Sequence, residues 1–307
     1  MPYTPEDFVA STTEVYSGHG VGLTLLSDGR SLREAVEANP IGYLGANHVA
    51  RYGANTKLLV KILNTEERLF SHFHPDAAFA SQHLDHTLGK TEAWIVVDTD
   101  GRDDAYAYLG FNRQITEAEA ADWITNQRVP ELLEAMNRVP LQVGDTLFVP
   151  AGIAHAIGPN ITLVELQEPT DLSILIEFEG FANFTLESAL LGLDVATAVQ
   201  GLDRSFLSPE LLSQLTAGRP AHTPGATQLF PEAADEFFTA WSLTVETSLS
   251  LAAGYSVLVV SEGTGRLEFA TGHLELTPGC TVLIPHGAGA VTIVGRLRGI
   301  RCAPPAA

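Results

Sequence analysis

Short apolar runs of about four to eight residues, rich in Val, Ile and Leu, alternate with turn residues over most of the chain. Gly, Pro and Asp separate the runs, which is typical of β-strands rather than helices. The pattern predicts strands at 57–63, 93–98, 105–109, 146–149, 162–167 and 173–178, and again at 243–246, 256–261, 265–269, 281–284 and 291–294.

One segment inside the first strand-rich region has helical spacing instead. It covers residues 115–139, where Thr116 and Glu119 form a capping-box signature. Pro130 lies in its interior, and a Pro removes one hydrogen bond of a helix and clashes with the preceding turn. We therefore predict two consecutive helices here.

A second helical pattern covers residues 185–215, where leucines recur at helical spacing. Ser208 followed by Pro209 is typical of an N-cap and a first helical position. The next segment, 217–227, is rich in Gly, Pro and Ala and is predicted to be a linker. The order along the chain is therefore β-rich, helical and β-rich.

Composition and charge exclude several classes of partner. The chain has 307 residues, of which 45% are hydrophobic and 18% charged, as expected for a folded protein with a full core. Its net charge of −20 disfavours nucleic acids and anionic membranes as partners. The two cysteines form no CxxC motif, and no signal-peptide pattern begins the chain, so we expect a cytoplasmic protein.

An internal repeat predicts the fold. Residues 144–155 and 279–290 both follow the pattern G-x5-P-x-G-x2, with an apolar strand before the Pro. The pattern resembles the second sequence motif of the cupin family, small β-barrels made of two packed antiparallel sheets. The first copy ends in His155, a metal-binding position in cupins, and the second ends in Ala290. The resemblance implies a mainly β double cupin in which one barrel has lost its metal.

These observations together predict three parts of the chain. Residues 1–184 form an N-terminal, metal-binding cupin with a helical insertion at about 115–139. Residues 185–227 form a helical connector and linker. Residues 228–307 form a C-terminal cupin that lacks the metal-binding His.

Candidate metal ligands occur where the cupin motifs predict them. Two imidazoles, His72 and His74, are two residues apart, so on a strand they point to the same face. Together with a carboxylate at the start of the next apolar run, the predicted ligands are His72, His74, Glu92 and His155. This donor set suits one divalent ion such as Zn²⁺, Fe²⁺, Mn²⁺, Ni²⁺ or Co²⁺. Two histidines on a strand are often only polar surface. A competing pair, His83 and His86, is expected to lie in a solvated loop.

Beyond the cupin pattern, the sequence resembles the type I phosphomannose isomerase family. The matching runs are Leu58-Leu59-Val60-Lys61-Ile62-Leu63, His74-Pro75-Asp76, Gly89-Lys90-Thr91-Glu92-Ala93-Trp94, Tyr108-Leu109-Gly110-Phe111, the run from Gly144-Asp145 to His155-Ala156-Ile157-Gly158, and Glu165-Leu166-Gln167 followed by Asp171. The resemblance covers most of residues 20–180 and, more loosely, the C-terminal cupin.

The resemblance implies a zinc ion held by the four predicted ligands, with His72 where the family has Gln. It also implies that Lys61, Lys90 and Glu165 belong to the active site. Each has a plainer interpretation, as a strand-edge charge, a loop charge and a paired barrel carboxylate. The family's active-site Arg corresponds to Leu175. A leucine supplies neither a fixed charge nor a bidentate donor.

As a hypothesis, the resemblance implies interconversion of mannose 6-phosphate and fructose 6-phosphate by a metal-dependent aldose–ketose isomerase. Lys90 and the metal would stabilise a developing oxyanion, and Glu165 would transfer the proton. Lys61 and Arg113 would face a substrate phosphate. The alternatives are an isomerase of an unphosphorylated sugar, other cupin chemistry, and a non-catalytic sugar-binding cupin. The expected partner is a small sugar or sugar phosphate, and the protein a monomer or homodimer.

Overall fold

The computed structural model describes residues 5–181, 184–218 and 223–307, and these are mainly β with several short helices. The helices are α1 (Leu32–Ala38), α2 (Pro40–Leu44), α3 (Ala46–Tyr52), α4 (Ala77–His83), α5 (Glu117–Asn126), α6 (Val129–Ala135), α7 (Leu186–Ala189), α8 (Val195–Gln200) and α9 (Pro209–Leu215). The strands are β1 (Glu6–Val9), β2 (Leu59–Thr65), β3 (His72–Phe73), β4 (Glu92–Asp98), β5 (Tyr106–Phe111), β6 (Met136–Pro140), β7 (Thr146–Val149), β8 (His155–Ile157), β9 (Ile161–Gln167), β10 (Ile174–Leu175), β11 (Thr216–Ala217), β12 (Gly225–Gln228), β13 (Thr239–Val245), β14 (Ser248–Leu251), β15 (Ser256–Phe269), β16 (Gly272–Leu276), β17 (Thr281–Ile284) and β18 (Val291–Ala303).

The chain divides into two compact units. The first contains Ile62–Ala217 with the residues up to Glu6, and the second contains Asp7–Lys61 and Gly218–Ala307. The N-terminal segment is thus grouped with the C-terminal cupin, which the sequence pattern did not predict. The boundaries at residues 184 and 227 rest on the sequence pattern and stay a prediction.

Two sheets contain the strands of the first unit, and one of them also includes β1 and the start of β2. One has the strand order β1-β2-β9-β4-β7-β11, and the other has the order β10-β3-β8-β5-β6. Trp94 and Leu163 from the first sheet share a core with Leu109 and Ile157 from the second, so the sheets face each other. The cupin-like, mainly β architecture is confirmed, although the sheets are open layers rather than closed barrels.

The predicted helical insertion forms, but it is shorter than expected. Thr116 and Glu119 make the capping box of α5, and α6 begins at Val129 after a break, as Pro130 predicts. The prediction was wrong for residues 136–139, which form strand β6. Met136 lies opposite Phe111 on β5, so pairing in the sheet ends the helix there.

The predicted connector contains α7, α8 and α9, with Ser208 capping α9 and Pro209 at its first position. Strand β11 follows directly and pairs with β7, which adds the outermost strand to the first sheet. Of the predicted linker, residues 219–222 lie outside the described residues. Its last part is not a loop, because β12 pairs with β13 from Gly225 onward.

One sheet, with the order β12-β13-β18-β15-β16, dominates the second unit, and β14 and β17 pair with β18 and β15. The strands predicted at 256–261 and 265–269 are one strand, β15, and β18 continues well past residue 294. The short helices α1 to α3 were not predicted, although Ser31 and Glu34 form a capping box that begins α1. Among all the described residues, no helix is both long and apolar enough to cross a membrane.

Both copies of the cupin repeat adopt the predicted turn, strand and corner. Gly144 and Gly279 each have a positive φ, at +93° and +84°, which favours glycine at the turn. Strands β7 and β17 follow and end at a Pro. The first copy then leads into His155 at the start of β8, whereas the second leads into Ala290 just before β18.

Candidate metal centre

Strand pairing brings two of the predicted ligands together. His72 on β3 lies directly opposite His155 on β8, and opposite residues of an antiparallel pair share one face. Phe73, between His72 and His74, is fully buried in the hydrophobic cluster on the other face of the sheet. Alternation along the strand therefore directs the imidazoles of His72 and His74 towards the facing sheet, from which β4 supplies Glu92.

All four predicted ligands converge inside the first unit. Nε2 of His74 lies 3.0 Å from Oε2 of Glu92, and Nε2 of His155 lies 3.3 Å from Oε1 of the same carboxylate. Nε2 of His72 lies 2.9 Å from Nε2 of His155. The ligand atoms of the three histidines all lie within 4.8 Å of one another.

Backbone carbonyls fix the orientation of each imidazole. Every Nδ1 lies 2.8 to 3.0 Å from a carbonyl oxygen, and the three acceptors are Phe70, Leu172 and Ile153. A neutral imidazole that donates through Nδ1 has an unprotonated Nε2. The three unprotonated Nε2 atoms therefore point at one another and at the carboxylate. Metal-binding histidines are commonly held in this way, with the other ring nitrogen donating a hydrogen bond.

Burial keeps these histidines uncharged. It is the main cause that lowers the pKa of His72, His74 and His155, and for His74 the value falls to about 3. Burial alone would oppose ionisation of Glu92, but the ammonium of Lys90 beside it acts in the opposite direction and lowers the pKa of that carboxyl. Neutral imidazoles beside an ionised carboxylate are the protonation states that metal binding requires.

This arrangement fits a divalent cation. Oε2 of Glu92 is buried and accepts no hydrogen bond within the described part of the chain, even though His74 lies 3.0 Å away. Two unprotonated acceptors at that distance repel each other, and a divalent ion held by these atoms would relieve that repulsion. A set of three imidazoles and one carboxylate suits Zn²⁺ and other divalent first-row metals.

Two side chains adjoin the ligands. The ammonium of Lys90, which is 4% exposed, lies 3.1 Å from Nε2 of His74 and 3.4 Å from Oε2 of Glu92. The indole Nε1 of Trp94 donates to Oε1 of Glu92 at 2.9 Å. Trp94 was not predicted as part of the site, although its position two residues after Glu92 on a strand indicates the same face.

The other predicted active-site residues occupy different environments. Glu165 is buried on β9 opposite Trp94, so it faces the space between the sheets. Lys61 is fully buried on β2, with its ammonium 4.4 Å from the ring centroid of Phe8. Arg113 is half-exposed and pairs with Glu119 of helix α5 at 2.9 Å. The predicted phosphate contact of these two cations stays a prediction.

Neither His83 nor His86 joins the metal ligands. His83 is the last residue of α4 rather than part of a loop, and its ring lies 4.7 Å from that of Phe79. Nδ1 of His86 lies 3.3 Å from the backbone nitrogen of Leu88. Across residues 5–181, 184–218 and 223–307, the single group able to hold a metal is His72, His74 and His155.

The chain is similar in sequence to known mannose-6-phosphate isomerases. A family model described as "Mannose-6-phosphate isomerase, cupin domain" matches residues 226–304. A mannose-6-phosphate isomerase of Streptococcus mutans is 26% identical over 300 residues, which cover 91% of this chain and 85% of that protein. The mannose-6-phosphate isomerase ManA of Bacillus subtilis is 27% identical over 243 residues, or 79% of this chain and 73% of that protein.

Solved structures show the same fold. The crystal structure of the Bacillus subtilis mannose 6-phosphate isomerase has a TM-score of 0.74 and 20% identity, and the match covers 98% of this chain and 90% of that one. A mannose 6-phosphate isomerase bound with zinc and yttrium also has a TM-score of 0.74, with 14% identity over 99% of this chain and 91% of that one. The chain therefore contains a stretch at residues 226–304 that matches the cupin domain of mannose-6-phosphate isomerases, and over most of its length it is similar to such isomerases in sequence and fold.

Proposed function

We propose that the protein is a metal-dependent aldose–ketose isomerase that interconverts mannose 6-phosphate and fructose 6-phosphate. The observation that carries the proposal is Lys90, whose buried ammonium lies within 3.4 Å of both His74 and Glu92. A fixed cation beside a metal site suits a reaction that develops negative charge on a sugar oxygen. The names of the curated relatives support this choice of substrate.

The four ligands would hold one divalent ion, with zinc as the expected metal. When bound, the ion would act as a Lewis acid that polarises the carbonyl and hydroxyl oxygens of the open-chain sugar. His72, His74 and His155 contribute neutral nitrogens held by backbone carbonyls, and Glu92 contributes the negative charge. Trp94 keeps that carboxylate in place by donating to Oε1.

The chain's own side chains would move the proton. The ammonium of Lys90 would donate to the substrate oxygen as it becomes an oxyanion. Glu165, buried on the inner face of β9, would take the proton from one of the two reacting carbons and return it to the other. The facing sheets exclude water, which strengthens both interactions.

A second candidate is an isomerase of an unphosphorylated sugar. It is favoured by Leu175, which lies directly opposite His72 on β10 and is 3% exposed. Ile174 and Ile176 pack in the hydrophobic cluster on the other face, so Leu175 points towards the site. An apolar side chain at that position offers no hydrogen bond to a phosphate.

The proposal also covers the partners, location and oligomeric state of the protein. A net charge of −20 argues against nucleic acid and membrane surfaces as partners, so the expected partner is a small sugar or sugar phosphate. The expected location is the cytoplasm, as a monomer or homodimer.

The test is an assay of zinc-loaded protein with mannose 6-phosphate, and separately with free mannose and other aldoses. We expect fructose 6-phosphate to form from the phosphorylated sugar. Product from free sugars alone would favour the second candidate. No turnover of any sugar by protein that holds one metal ion per chain would reject both reactions.

A further inference from the structure

The side chain of Gln167 lies fully buried next to the metal centre. It is the last residue of β9 and lies directly opposite Glu92 on β4. Ile161 and Leu163 fix the inner face of β9, because both pack in the core between the two sheets. Alternation then places Gln167 on that same inner face, beside the carboxylate ligand.

Hydrogen bonds fix which end of the amide faces which way. Nε2 of Gln167 donates to the carbonyl of Thr170 at 2.5 Å and to that of Glu168 at 3.2 Å. With the amide reversed, its oxygen would face two carbonyl oxygens, which is repulsive. The opposite end, Oε1, is therefore an acceptor, and it has no hydrogen-bond partner among the described residues.

Two polar side chains of the same site, Lys90 and His74, are already engaged with other groups. The ammonium of Lys90 is directed at His74 and Glu92. The imidazole of His74 donates through Nδ1 to the carbonyl of Leu172, in the turn that Gln167 braces. Native proteins rarely bury an acceptor without a donor, and the exceptions call for an explanation such as a role in ligand binding.

We infer that Gln167 is a substrate-binding residue, whose Oε1 accepts a hydrogen bond from a hydroxyl group of the bound sugar. The inference rests on the proposed function and adds to it a specific contact. An open-chain sugar presents several hydroxyl donors along its carbon chain, and the acceptor lies beside the carboxylate ligand of the metal centre. The contact would fix the position of the chain relative to the reacting carbons.

The experiment measures binding of a ligand that cannot isomerise, the hexitol phosphate made by reducing mannose 6-phosphate. Calorimetry with zinc-loaded wild type would be compared with Gln167→Met, which removes both the acceptor and the donor, and with Gln167→Glu, whose buried neutral carboxyl keeps an acceptor and donates to the turn through its O–H. Gln142→Met, at an exposed turn, is the matched control. Metal content and melting temperature are measured for every variant.

We expect Q167M to bind the hexitol phosphate about threefold to tenfold more weakly, the range for one neutral hydrogen bond. Q167E should recover most of that affinity, and Q142M should bind like the wild type. One monodeoxy form of the ligand, lacking the hydroxyl at C3, C4 or C5, should bind the wild type more weakly than the full ligand does, by a similar factor. Q167M should bind that deoxy form and the full ligand with equal affinity.

Two results would overturn the inference. Equal losses in wild type and Q167M for every deoxy form would mean that the acceptor serves a buried water molecule. Loss of metal in Q167M, with wild-type affinity in the chains that keep their metal, would mean that Gln167 only braces the turn. Binding is measured without turnover, so the two proposals can fail separately. Coupling between Gln167 and one ligand hydroxyl, in a protein without isomerase activity, would reject the proposed reaction alone. Isomerase activity without such coupling would reject this inference alone.

Discussion

Leu175 and His72 lie directly opposite each other across strands β10 and β3, and both side chains are buried on the face that holds the candidate metal ligands. The residue at position 175 is therefore a neighbour of the metal centre. A leucine at this position adds no charge beside His72, whereas an arginine would add a fixed positive charge.

Replacing this leucine tests the substrate directly. Leu175→Arg should raise kcat/KM for mannose 6-phosphate by about tenfold, the lower end for a hydrogen bond to a charged group, and should leave the value for free mannose unchanged. Leu175→Met is the control for volume. No gain with the phosphorylated sugar, in protein that keeps its metal, would contradict a phosphate contact at this position.

The indole of Trp94 is expected to tune metal affinity. Trp94→Phe removes the donor to Oε1 of Glu92, and loss of such a supporting contact typically weakens metal binding by about 10-fold to 100-fold. Competition with a chelating dye measures the affinity. Trp123→Phe, on α5 in a hydrophobic cluster of the first unit, controls for the loss of a buried indole. Equal affinities for both variants would refute the role.

Lys90 should matter for turnover rather than for metal binding. Lys90→Met should lower kcat by about 10²-fold to 10³-fold, as for the loss of one oxyanion donor, while metal content stays at the wild-type level. Lys57→Met, near the ring of Tyr52, is the control. A variant that loses its metal, or keeps full activity, would show that Lys90 has another role.

Metal binding should stabilise the fold. Zinc added to metal-free protein should raise the melting temperature, because the ion binds the folded chain and not the dispersed ligands of the unfolded one. His155→Ala should abolish that increase. His273→Ala, an exposed histidine paired with Glu275, should leave it intact. An unchanged increase in H155A would argue that zinc binds elsewhere.

A buried histidine in the second unit should make stability depend on pH. Burial lowers the pKa of His48 from 6.5, and the nearby Lys57 acts in the same direction. Below pH 6.5 His48 binds a proton in the unfolded chain but stays neutral in the folded chain. Stability is thus complete above pH 6.5 and is lost as the pH falls towards the lowered value.

The measurement for His48 is urea unfolding at pH 7.5 and pH 5.5. The free energy of unfolding should fall less for His48→Gln than for the wild type over that interval. His19→Gln, at an exposed turn, is the comparison variant. An identical decrease in H48Q and wild type would remove His48 as a cause of the acid sensitivity.

The convergence of the candidate metal ligands could be predicted because their signals are local. His72 and His74 alternate on a strand, and His155 closes a motif whose turn depends on a glycine with positive φ, at Gly144. Each signal reflects a constraint within a few residues of the chain. The same alternation indicates Trp94 and Gln167 as well, two residues beyond Glu92 and Glu165.

Features that depend on distant pairing could not be predicted. Residues 136–139 continue a helical pattern, but β5 lies beside them in the fold and Met136 pairs with Phe111 instead. Leu172 supplies the carbonyl that orients His74, and a backbone group leaves no trace in the residue types. The grouping of residues 7–61 with the second unit is likewise a property of the folded chain.

The pairing of β11 with β7 determines where the chain can be truncated without exposing a strand edge. Thr216 and Ala217 cover the backbone of β7, which begins at Thr146 and leads to the corner before His155. A first cupin ended after α9, at Leu215, would leave that backbone open to strands of other molecules. The two residues after the last connector helix therefore cover the edge of the sheet that carries Glu92.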